Sequence, residues 1–327
     1  MITAPARSTT WPIYAYCEAV TGLTASHGRS PFDPQRGRGI RTRLHSLRLP
    51  GAAALDAAFE VTVLIENLTD TTPASVWALF LDVDGTLLDF AAQPHRVVVA
   101  PGLPALLARL LRGFDGGLAL VSGRPISALD RLFAPYRFPA AGIHGLERRD
   151  AAGRWHFTGL APGALQPARH VLSAAVQNHP ELLLEDKGRS LALHYRQAPA
   201  LAGAALEAAR AALAALPPEA HLQPGRFVVE IKSGAADKGT AIAQFMDEAP
   251  FSGRVPVMIG DDLTDEDGFA CVEARGGHAI EVGSATSASG PAPRRRARLA
   301  SPSALRAWLQ DIAAGLADEA AAREVRP

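Results

Sequence analysis

The stretch that most constrains this chain is residues 80–88, Phe-Leu-Asp-Val-Asp-Gly-Thr-Leu-Leu, in which an apolar run ends in two carboxylates. The side chains of Asp82 and Asp84 project to the same side of an extended segment, because side chains alternate along a strand. Two unpaired charges there repel each other and are costly to desolvate. One interpretation is a strand-to-turn junction that an Asp simply caps. The full run Asp-x-Asp-Gly-Thr favours a divalent cation and a phosphate at this point.

The lysines are a second informative feature. The chain has 33 Lys and Arg residues, of which only Lys187, Lys232 and Lys238 are Lys. Arg therefore supplies nearly all of the positive surface charge. The three lysines indicate positions that need a compact point charge rather than a planar guanidinium, although chance survival is the alternative.

Composition excludes several classes of protein. The 33 basic and 33 acidic residues balance, so no net charge favours nucleic acid or an anionic membrane as a partner. Cys17 and Cys271 are far apart in sequence and suggest no disulfide framework, which favours a reducing compartment. We find no apolar stretch long enough to cross a bilayer and no signal-peptide pattern in residues 1–30. We therefore expect a soluble cytoplasmic protein with no membrane or nucleic-acid partner.

From residue 76 onwards, short apolar strands alternate with helices. The predicted strands are 79–83, 118–121, 140–143, 227–231, 255–259 and 278–282, and the predicted helices are 103–112, 125–133, 238–246, 264–274 and one that Ser301 caps. Such alternation predicts an α/β fold with a doubly wound parallel sheet covered on both faces. Ligands of such sheets bind at the carboxyl ends of the strands, where the polar motifs of this chain also lie.

The middle of the chain differs in pattern and predicts a small inserted α/β cap domain. Its predicted strands are 154–158, 182–185 and 191–195, and its predicted helices are 165–179 and 200–216. The predicted division is an N-terminal extension at 1–75, a catalytic core at 76–148 and 227–316, the cap at 149–226 and a C-terminal tail at 317–327. The extension is expected to be flexible, although residues 59–68 have the composition of a strand.

The motifs supply the parts that phosphoryl transfer needs. Asp82 is the candidate nucleophile, which would form an aspartyl phosphate. Asp84 is the candidate proton donor, since neighbouring negative charge favours protonation of one carboxyl group. Ser122 offers a hydroxyl group to a phosphate oxygen, and Lys238 offers an ammonium at a helix start. Mg²⁺ would be held by Asp82, Asp261 and a backbone carbonyl near Asp84.

These runs together resemble the haloacid dehalogenase (HAD) superfamily of phosphatases, and the position of the insertion resembles the second cap type of that superfamily. More specific runs resemble the trehalose-6-phosphate phosphatase family. They are residues 120–125 (Leu-Val-Ser-Gly-Arg-Pro), 141–148 (Ala-Gly-Ile-His-Gly-Leu-Glu-Arg), 184–188 (Leu-Glu-Asp-Lys-Gly), 193–196 (Leu-His-Tyr-Arg), 229–232 (Val-Glu-Ile-Lys) and 260–266 (Gly-Asp-Asp-Leu-Thr-Asp-Glu). The resemblance covers residues 77–313, so the extension has no counterpart in it.

The resemblance implies a Mg²⁺-dependent phosphatase that converts trehalose 6-phosphate to trehalose and phosphate, with a trehalose-6-phosphate synthase as its pathway neighbour. It implies substrate-binding roles for Gly85, Gly123, Arg124, His144, Glu147, Glu185, Lys187, His194, Arg196, Glu230, Lys232 and Asp262. The paired polar residues of the cap could equally form solvated strand faces, and His144 and Glu147 could form a structural pair.

Two rival functions stay open at this point. One is a phosphatase of the same superfamily that acts on another sugar phosphate, which the cap motifs disfavour. The other is a catalytically silent sugar-phosphate sensor or synthase-complex subunit, which the intact acidic motifs disfavour. The basic run at 294–296 is interpreted as part of a solvated loop rather than as a nucleic-acid site.

Overall fold

The computed structural model describes residues 74–89, 96–225, 227–283 and 296–324. Nearly all of the predicted N-terminal extension, including the possible strand at 59–68, lies outside the described residues. The basic run at 294–296 lies outside them except for Arg296. No helix in the described ranges is both long enough and apolar enough to cross a membrane.

An eight-stranded sheet forms the larger part of the structure. Its strands are β1 (Trp77–Leu81), β2 (Leu118–Val121), β3 (Ala140–Gly142), β4 (Glu147–Arg149), β5 (Trp155–Phe157), β10 (Val255–Gly260), β11 (His278–Val282) and β12 (Ala297–Leu299). The spatial order is β12-β11-β10-β1-β2-β3-β4-β5. The first six strands of that order are parallel, and β4 and β5 add an antiparallel hairpin at one edge.

Alternating side chains of β1 enter two separate cores, one on each face of this sheet. Trp77, Leu79 and Leu81 pack into one core, whereas Ala78 and Phe80 pack into the other. All five are buried. A strand that is apolar on both faces requires helices on both sides, which explains why the run before Asp82 is uninterrupted by polar residues.

Five helices cover the two faces of this sheet. They are α1 (Leu103–Gly113), α2 (Ile126–Leu132), α5 (Lys238–Met246), α6 (Glu266–Ala274) and α7 (Pro302–Glu324). Helices α1, α2 and α7 supply residues to the first core, and α5 and α6 supply residues to the second. The rings of Trp77 and Trp308 stack with their centroids 6.1 Å apart, which fixes α7 against the start of β1.

The cap has its own sheet and its own core. Its strands are β6 (Leu183–Asp186), β7 (Leu191–His194), β8 (Ala220–Gly225) and β9 (Val228–Ser233), paired antiparallel in the order β6-β7-β9-β8. Its helices are α3 (Gln166–Asn178) and α4 (Ala202–Leu213). Leu193, Val229 and Ile231 pack with these helices in a third apolar cluster. The opposite, polar face of the cap sheet therefore remains available to a ligand.

The predicted core and cap helices and most of the predicted strands are present, but two of the predicted domain limits are wrong. Strand β5 lies in the large sheet, because it pairs with β4 as a hairpin, so the cap does not begin at residue 149. Strand β9 lies in the cap sheet between β7 and β8, so the core does not resume at residue 227. The strand–helix alternation alone could not show which sheet each strand joins.

The C-terminal boundary also differs from the prediction. Helix α7 continues to Glu324 rather than ending at residue 316. Leu316 is buried, and a Cβ added at Gly113 of α1 would lie 2.9 Å from its Cδ1. The close approach of α1 and α7 at Gly113 therefore makes this helix part of the core packing.

Replacement of Leu309 by Ala tests this role of α7. The Leu309 side chain is fully buried in the first core, so Leu309→Ala should lower the free energy of unfolding by about 2–5 kcal/mol through lost burial and a cavity. Gln310→Ala, at the adjacent exposed position, should change it by about 0.5 kcal/mol or less. Urea unfolding measures both. Equal small effects would mean that α7 is not part of the core.

Candidate active site

Polar side chains from the carboxyl ends of three neighbouring strands meet at one edge of the large sheet. Asp82 follows β1, Ser122 follows β2 and Asp261 follows β10. The polar face of the cap sheet closes the opposite side of the same cleft. The cleft is lined by predicted site residues from both parts: Asp82, Asp84, Ser122, Gly123, Arg124, His144, Glu185, Lys187, His194, Arg196, Glu230, Lys238 and Asp262.

Lys238 is the single ammonium at the base of this cleft. Its Nζ lies 2.7 Å from Oδ1 of Asp82 and 2.6 Å from Oδ1 of Asp265, and all three residues are buried. Lys238 is the first residue of α5. The Asp237 side chain caps this helix by accepting a hydrogen bond from the backbone N–H of Thr240. This helix cap, formed by Asp237, fixes where α5 begins and therefore where the Lys238 ammonium lies.

Three carboxylates surround this one ammonium. Oxygen atoms of Asp82, Asp261 and Asp265 lie within 4.8 Å of one another. Burial raises the pKa of Asp82 well above its ordinary value, and Asp265 and Asp261 add to this effect while Lys238 opposes it. Burial and Asp265 likewise raise the pKa of Asp261 to about 7. Burial alone would lower the pKa of Lys238, but Asp265 and Asp82 raise it above its ordinary value.

Asp265 belongs to this cluster although the sequence analysis assigned it no role. Its Oδ2 accepts hydrogen bonds from the backbone N–H groups of Asp261 and Asp262, and its Oδ1 accepts one from Lys238. A Cβ added at Gly260 would lie 2.3 Å from the Asp265 carboxyl carbon, so glycine is required there. The spacing Gly-Asp-Asp-x-x-Asp was the available signal, since an acid three residues after a cap position reaches back to the cap.

The cluster fits a hard divalent cation. Its donors are carboxylate oxygens, the ligand type that Mg²⁺ prefers. The excess of carboxylates over ammonium groups also leaves negative charge for a cation to neutralise. Thr86, another residue without a predicted role, donates its hydroxyl hydrogen to Oδ1 of Asp261 at 2.8 Å and so orients that carboxylate.

The Asp84 side chain has a different environment from the one predicted. Its two carboxylate oxygens accept hydrogen bonds from Nε and Nη2 of Arg124, each at 2.6 Å. Asp84 is not among the grouped carboxylates Asp82, Asp261 and Asp265. A metal contact by the backbone carbonyl near Asp84 stays a prediction. Asp84 and Arg124 both line the cleft, so a phosphate that enters meets both groups.

His144 lies where the two sides of the cleft approach each other. Its backbone has φ 53° and ψ 36°, a left-handed conformation that is uncommon outside glycine. A Cβ added at Gly123 would lie 2.6 Å from its Nε2, so the ring packs directly on that glycine. The same Nε2 lies 3.7 Å from Oε2 of Glu230 in the cap. Burial lowers the pKa of His144, although Glu230 opposes the shift.

Glu230 is the centre of the polar face of the cap. It accepts hydrogen bonds from Lys187 Nζ at 2.8 Å and from the Ser190 hydroxyl group. Burial would raise the pKa of Glu230, but Lys187 and His144 outweigh it and hold that pKa well below its ordinary value. A buried carboxylate and a half-buried ammonium thus face the cleft as a pair, which suits recognition of sugar hydroxyl groups.

The other predicted cap residues also meet in this region. His194 Nε2 lies 2.8 Å from Oε2 of Glu185 across β6 and β7. Burial would raise the pKa of Glu185, but the His194 hydrogen bond and Lys187 lower it. The Arg196 guanidinium lies 5.3 Å from the ring centroid of Phe227. The turn predicted at 186–189 is present, and the side chains of Lys187 and Glu185 line the cleft.

Three predicted substrate-binding residues do not line the cleft. Gly85 forms the turn after Asp84, with φ 87°. Oε1 of Glu147 accepts a hydrogen bond at 2.6 Å from the backbone N–H of Ile126, at the start of α2, so this carboxylate stabilises a helix end. Lys232 points to a different pocket, between β8 and the start of α5. Glu147 and His144 are therefore not brought together as a pair.

Other residues line the cleft without having been predicted: Val97, Glu181, Leu183, Gln197, Gln223, Pro224, Gly225, Val228 and Thr264. Gln223 lies on β8, a strand that was not predicted from the sequence and that contains Pro224. Nothing in the periodicity distinguishes this edge strand from a turn.

A family model described as trehalose-phosphatase matches residues 80–302, more than half of the chain. The chain belongs to the trehalose-phosphatase family. This result confirms the predicted resemblance, and the matched range contains every residue of the acidic cluster. Trehalose-6-phosphate phosphatase of Escherichia coli K12 is 43% identical over 255 residues, covering 77% of this chain and 93% of that protein.

Further relatives agree with this placement. A probable trehalose-phosphate phosphatase of Sinorhizobium fredii is 43% identical over 219 residues, 67% of this chain and 82% of that protein. The C-terminal domain of C. albicans trehalose-6-phosphate phosphatase superposes with a TM-score of 0.60 at 18% identity, over 78% of this chain and 96% of that one. A trehalose-6-phosphate phosphatase related protein gives 0.58 at 23%, over 74% and 99%. These two structures confirm the predicted fold.

Replacement of Asp265 by Asn tests its place in the cluster. In the wild type, both carboxylate oxygens of Asp265 accept hydrogen bonds, from Lys238 and from the backbone N–H groups of residues 261 and 262. The amide of Asp265→Asn replaces one of these acceptors by an N–H₂ donor and removes a negative charge. The variant should therefore bind Mg²⁺ more weakly and reduce the phosphatase rate by about a hundredfold. Calorimetric titration with Mg²⁺ and a phosphate-release assay measure the two effects. Asp311→Asn, at an exposed position of α7, serves as the control and should change neither. Unchanged Mg²⁺ affinity in Asp265→Asn would remove this residue from the cation site.

Proposed function

We propose that this chain is a Mg²⁺-dependent phosphatase that hydrolyses trehalose 6-phosphate to trehalose and phosphate. The observation that carries the proposal is a single cleft with two chemically different walls. One wall is the buried cluster of Asp82 and Lys238, and the other is the polar cap face of Glu185, Lys187 and Glu230. Family membership and the 43% identical relative named trehalose-6-phosphate phosphatase support the same substrate.

Asp82 is the proposed nucleophile. A carboxylate oxygen of Asp82 attacks phosphorus, the bond from phosphorus to the sugar oxygen breaks, and an aspartyl phosphate forms. Water then attacks phosphorus and gives up a proton to the Asp84 carboxylate, the bond from phosphorus to Asp82 breaks, and phosphate is released as the Asp82 carboxylate is restored. Lys238, 2.7 Å from Asp82, stays cationic through both steps and stabilises the added negative charge on the phosphoryl group. The Ser122 hydroxyl group is the proposed donor to a phosphate oxygen.

Asp84 is the proposed proton donor to the departing sugar oxygen. In the present structure it pairs with Arg124 through two hydrogen bonds. A phosphate monoester competes for the same guanidinium, because Arg binds phosphate and carboxylate in the same two-point manner. Arrival of the substrate would therefore release the Asp84 carboxyl group to take up a proton and deliver it to the leaving oxygen.

Asp82, Asp261 and Asp265 are the side chains proposed to hold Mg²⁺. The bound ion would supply positive charge that favours phosphate entry and the ionised state of Asp82. Thr86 and the backbone N–H groups of residues 261 and 262 hold two of these carboxylates in position without using the cation. The protein therefore orders the acidic side of the site through its own hydrogen bonds.

The polar face of the cap is proposed to recognise the disaccharide through hydrogen bonds. Lys187 and Glu230 offer a donor and an acceptor to sugar hydroxyl groups, with Glu185 and His194 beside them. The second cap type, the cytoplasmic location and a synthase as pathway neighbour are part of the same proposal. A different sugar phosphate is the nearest rival, and a silent sensor is disfavoured because the catalytic cluster is complete.

The direct experiment is a phosphate-release screen of the full-length protein with Mg²⁺ over a panel of sugar phosphates. The panel contains trehalose 6-phosphate, sucrose 6-phosphate, glucose 6-phosphate and a small aryl phosphate. We expect kcat/KM to be highest for trehalose 6-phosphate. A higher value for another sugar phosphate would replace the proposed substrate, and no release from any compound would support the silent sensor.

Asp82→Asn should abolish turnover while leaving the fold intact. The amide is not a nucleophile, so the rate should fall by about four orders of magnitude or more. Thermal unfolding is the control for folding, and the same assay on Asn178→Asp, at the end of α3 and outside the cleft lining, should give wild-type rates. Retention of more than a small fraction of activity in Asp82→Asn would exclude this residue as the nucleophile.

Lys187→Ala should separate the sugar side of the site from the phosphate side. Loss of a charged hydrogen-bond donor should lower kcat/KM for trehalose 6-phosphate by about ten- to a hundredfold and leave the aryl phosphate nearly unchanged. Arg169→Ala removes another cap ion pair, to Asp186, that does not line the cleft and should affect neither substrate. Equal losses on both substrates would place Lys187 in the phosphate site or in the fold.

A further inference from the structure

Lys232 is the one lysine that the proposed mechanism does not use. It is 3% exposed, yet its Nζ donates to a neutral acceptor, the backbone carbonyl of Ala236, at 3.1 Å. Among the residues that the structure describes, no carboxylate lies within ion-pair distance of it. A buried ammonium without a paired carboxylate is costly to desolvate. Its retention in a chain with three lysines therefore requires an explanation.

The surroundings of Lys232 do not supply a counter-charge at close range. His221 is its direct cross-strand neighbour on β8, and the Nδ1 of His221 is buried with no hydrogen-bond partner in the described part of the chain. Burial lowers the pKa of Lys232, and Glu230, Asp237 and Asp267 oppose this shift from a greater distance. The strongest directional contact of the ammonium is thus the Ala236 carbonyl.

This contact reaches the segment that carries the catalytic lysine. Residues 233–237 connect β9 of the cap with α5 of the core, and Lys238 follows directly. The Ala236 side chain is buried in a small cluster with Ile143 and Leu146, on the turn that contains His144. A Cβ added at Gly145 would lie 2.6 Å from the carbonyl oxygen of Asp237. The connecting segment is therefore packed tightly against the core just before Lys238.

The same segment is where the cap returns to the core. Ser233 lies against Gly159, which belongs to the other connection between the two sheets, since a Cβ at Gly159 would lie 2.6 Å from the Ser233 side chain. Both connections thus meet next to Lys232. The hydrogen bond from Lys232, near the end of β9, to the Ala236 carbonyl closes residues 232–236 into a short loop. Movement of the cap about the two connections would otherwise pull directly on the N-terminus of α5.

We propose that Lys232 is a positioning residue, whose buried ammonium holds residues 233–237 in place so that Lys238 keeps its contact with Asp82 when the cap moves. The proposal rests on the proposed phosphatase function. Lys232 acts through Ala236 and Lys238 and touches neither the sugar nor the phosphate. It differs in this from Lys187, which faces the cleft. A displacement of the Lys238 ammonium by a fraction of an ångström would slow the phosphoryl-transfer step itself.

A positioning role for Lys232 predicts a pattern of kinetic effects that a sugar-binding or purely structural role would not produce. Lys232→Met retains the length of the side chain but removes its donors. It should reduce kcat by about ten- to a hundredfold on both trehalose 6-phosphate and the small aryl phosphate, with little change in either KM. Lys187→Met should instead lower kcat/KM for the sugar phosphate alone. Ile231→Ala, on the same strand but facing the cap core, is the control for destabilisation and should retain kcat on the aryl phosphate at temperatures where it is folded.

Each result decides for or against the proposal. Equal kcat losses on both substrates, in protein that unfolds no earlier than Ile231→Ala, support it. A loss confined to trehalose 6-phosphate would make Lys232 a sugar ligand, and unchanged kcat with a lower melting temperature would make it a purely structural residue. Either result would overturn the proposal. If Lys232→Met does not fold, Lys232→Leu, which also lacks a hydrogen-bond donor, takes its place under the same criteria.

The aryl phosphate also separates this proposal from the proposed substrate. If the wild-type protein hydrolyses the aryl phosphate but not trehalose 6-phosphate, the substrate assignment fails and the Lys232 comparison still proceeds on the aryl compound. If the wild-type protein hydrolyses both and Lys232→Met matches it on both, only the positioning role fails.

Discussion

The contact between the Lys238 ammonium and the carboxylates of Asp82 and Asp265 is the interaction on which the site depends. It joins the end of β1, the start of α5 and the turn before α6, three elements that are distant in sequence. Removal of the Lys238 ammonium would leave its two buried carboxylate partners without their cation, which is far more costly than loss of a surface ion pair. The packing of β1, α5 and α6 in one core holds these charges in contact.

The structure divides recognition between a rigid core and an inserted cap. Backbone hydrogen bonds hold Asp265 in place, and a helix cap fixes the start of the helix that carries Lys238, so the core orders two members of this cluster through its own contacts. The cap has its own apolar core and exposes a polar sheet face to the cleft. His144 lies between the two, against Gly123 on one side and near Glu230 on the other. Its left-handed backbone is the local strain that this bridging position requires.

The sequence was sufficient to predict most of the polar side chains that line the cleft, but not every strand connection. The apolar run before Asp82 and the alternation of strands and helices correctly predicted the α/β core and the location of Asp82, Ser122 and Lys238. Asp265 was missed because its role depends on backbone N–H groups that come close only after the turn folds. Lys232 shares strand parity with Glu230, yet it lines another pocket, which strand parity alone does not predict.

The domain limits failed for a related reason. Strand–helix alternation gives the order of elements, but sheet membership is decided by pairing between distant segments. Strand β9 precedes α5 in the manner of a core strand, yet its partners are β7 and β8. Strand β8 is an edge strand that contains a proline, a residue that indicates a turn as readily as an edge strand. Non-local pairing of this kind leaves no mark in local periodicity.

The central claim is that the carboxylate of Asp82 becomes phosphorylated, and chemical trapping tests it most directly. Enzyme quenched during turnover of trehalose 6-phosphate with Mg²⁺ is treated with borohydride, which reduces an acyl phosphate to a primary alcohol. Peptide mass spectrometry should then find homoserine in place of aspartate at position 82, only in samples that received substrate, and not in Lys238→Met. Trapping at another residue, or turnover without any modification of Asp82, would contradict the account.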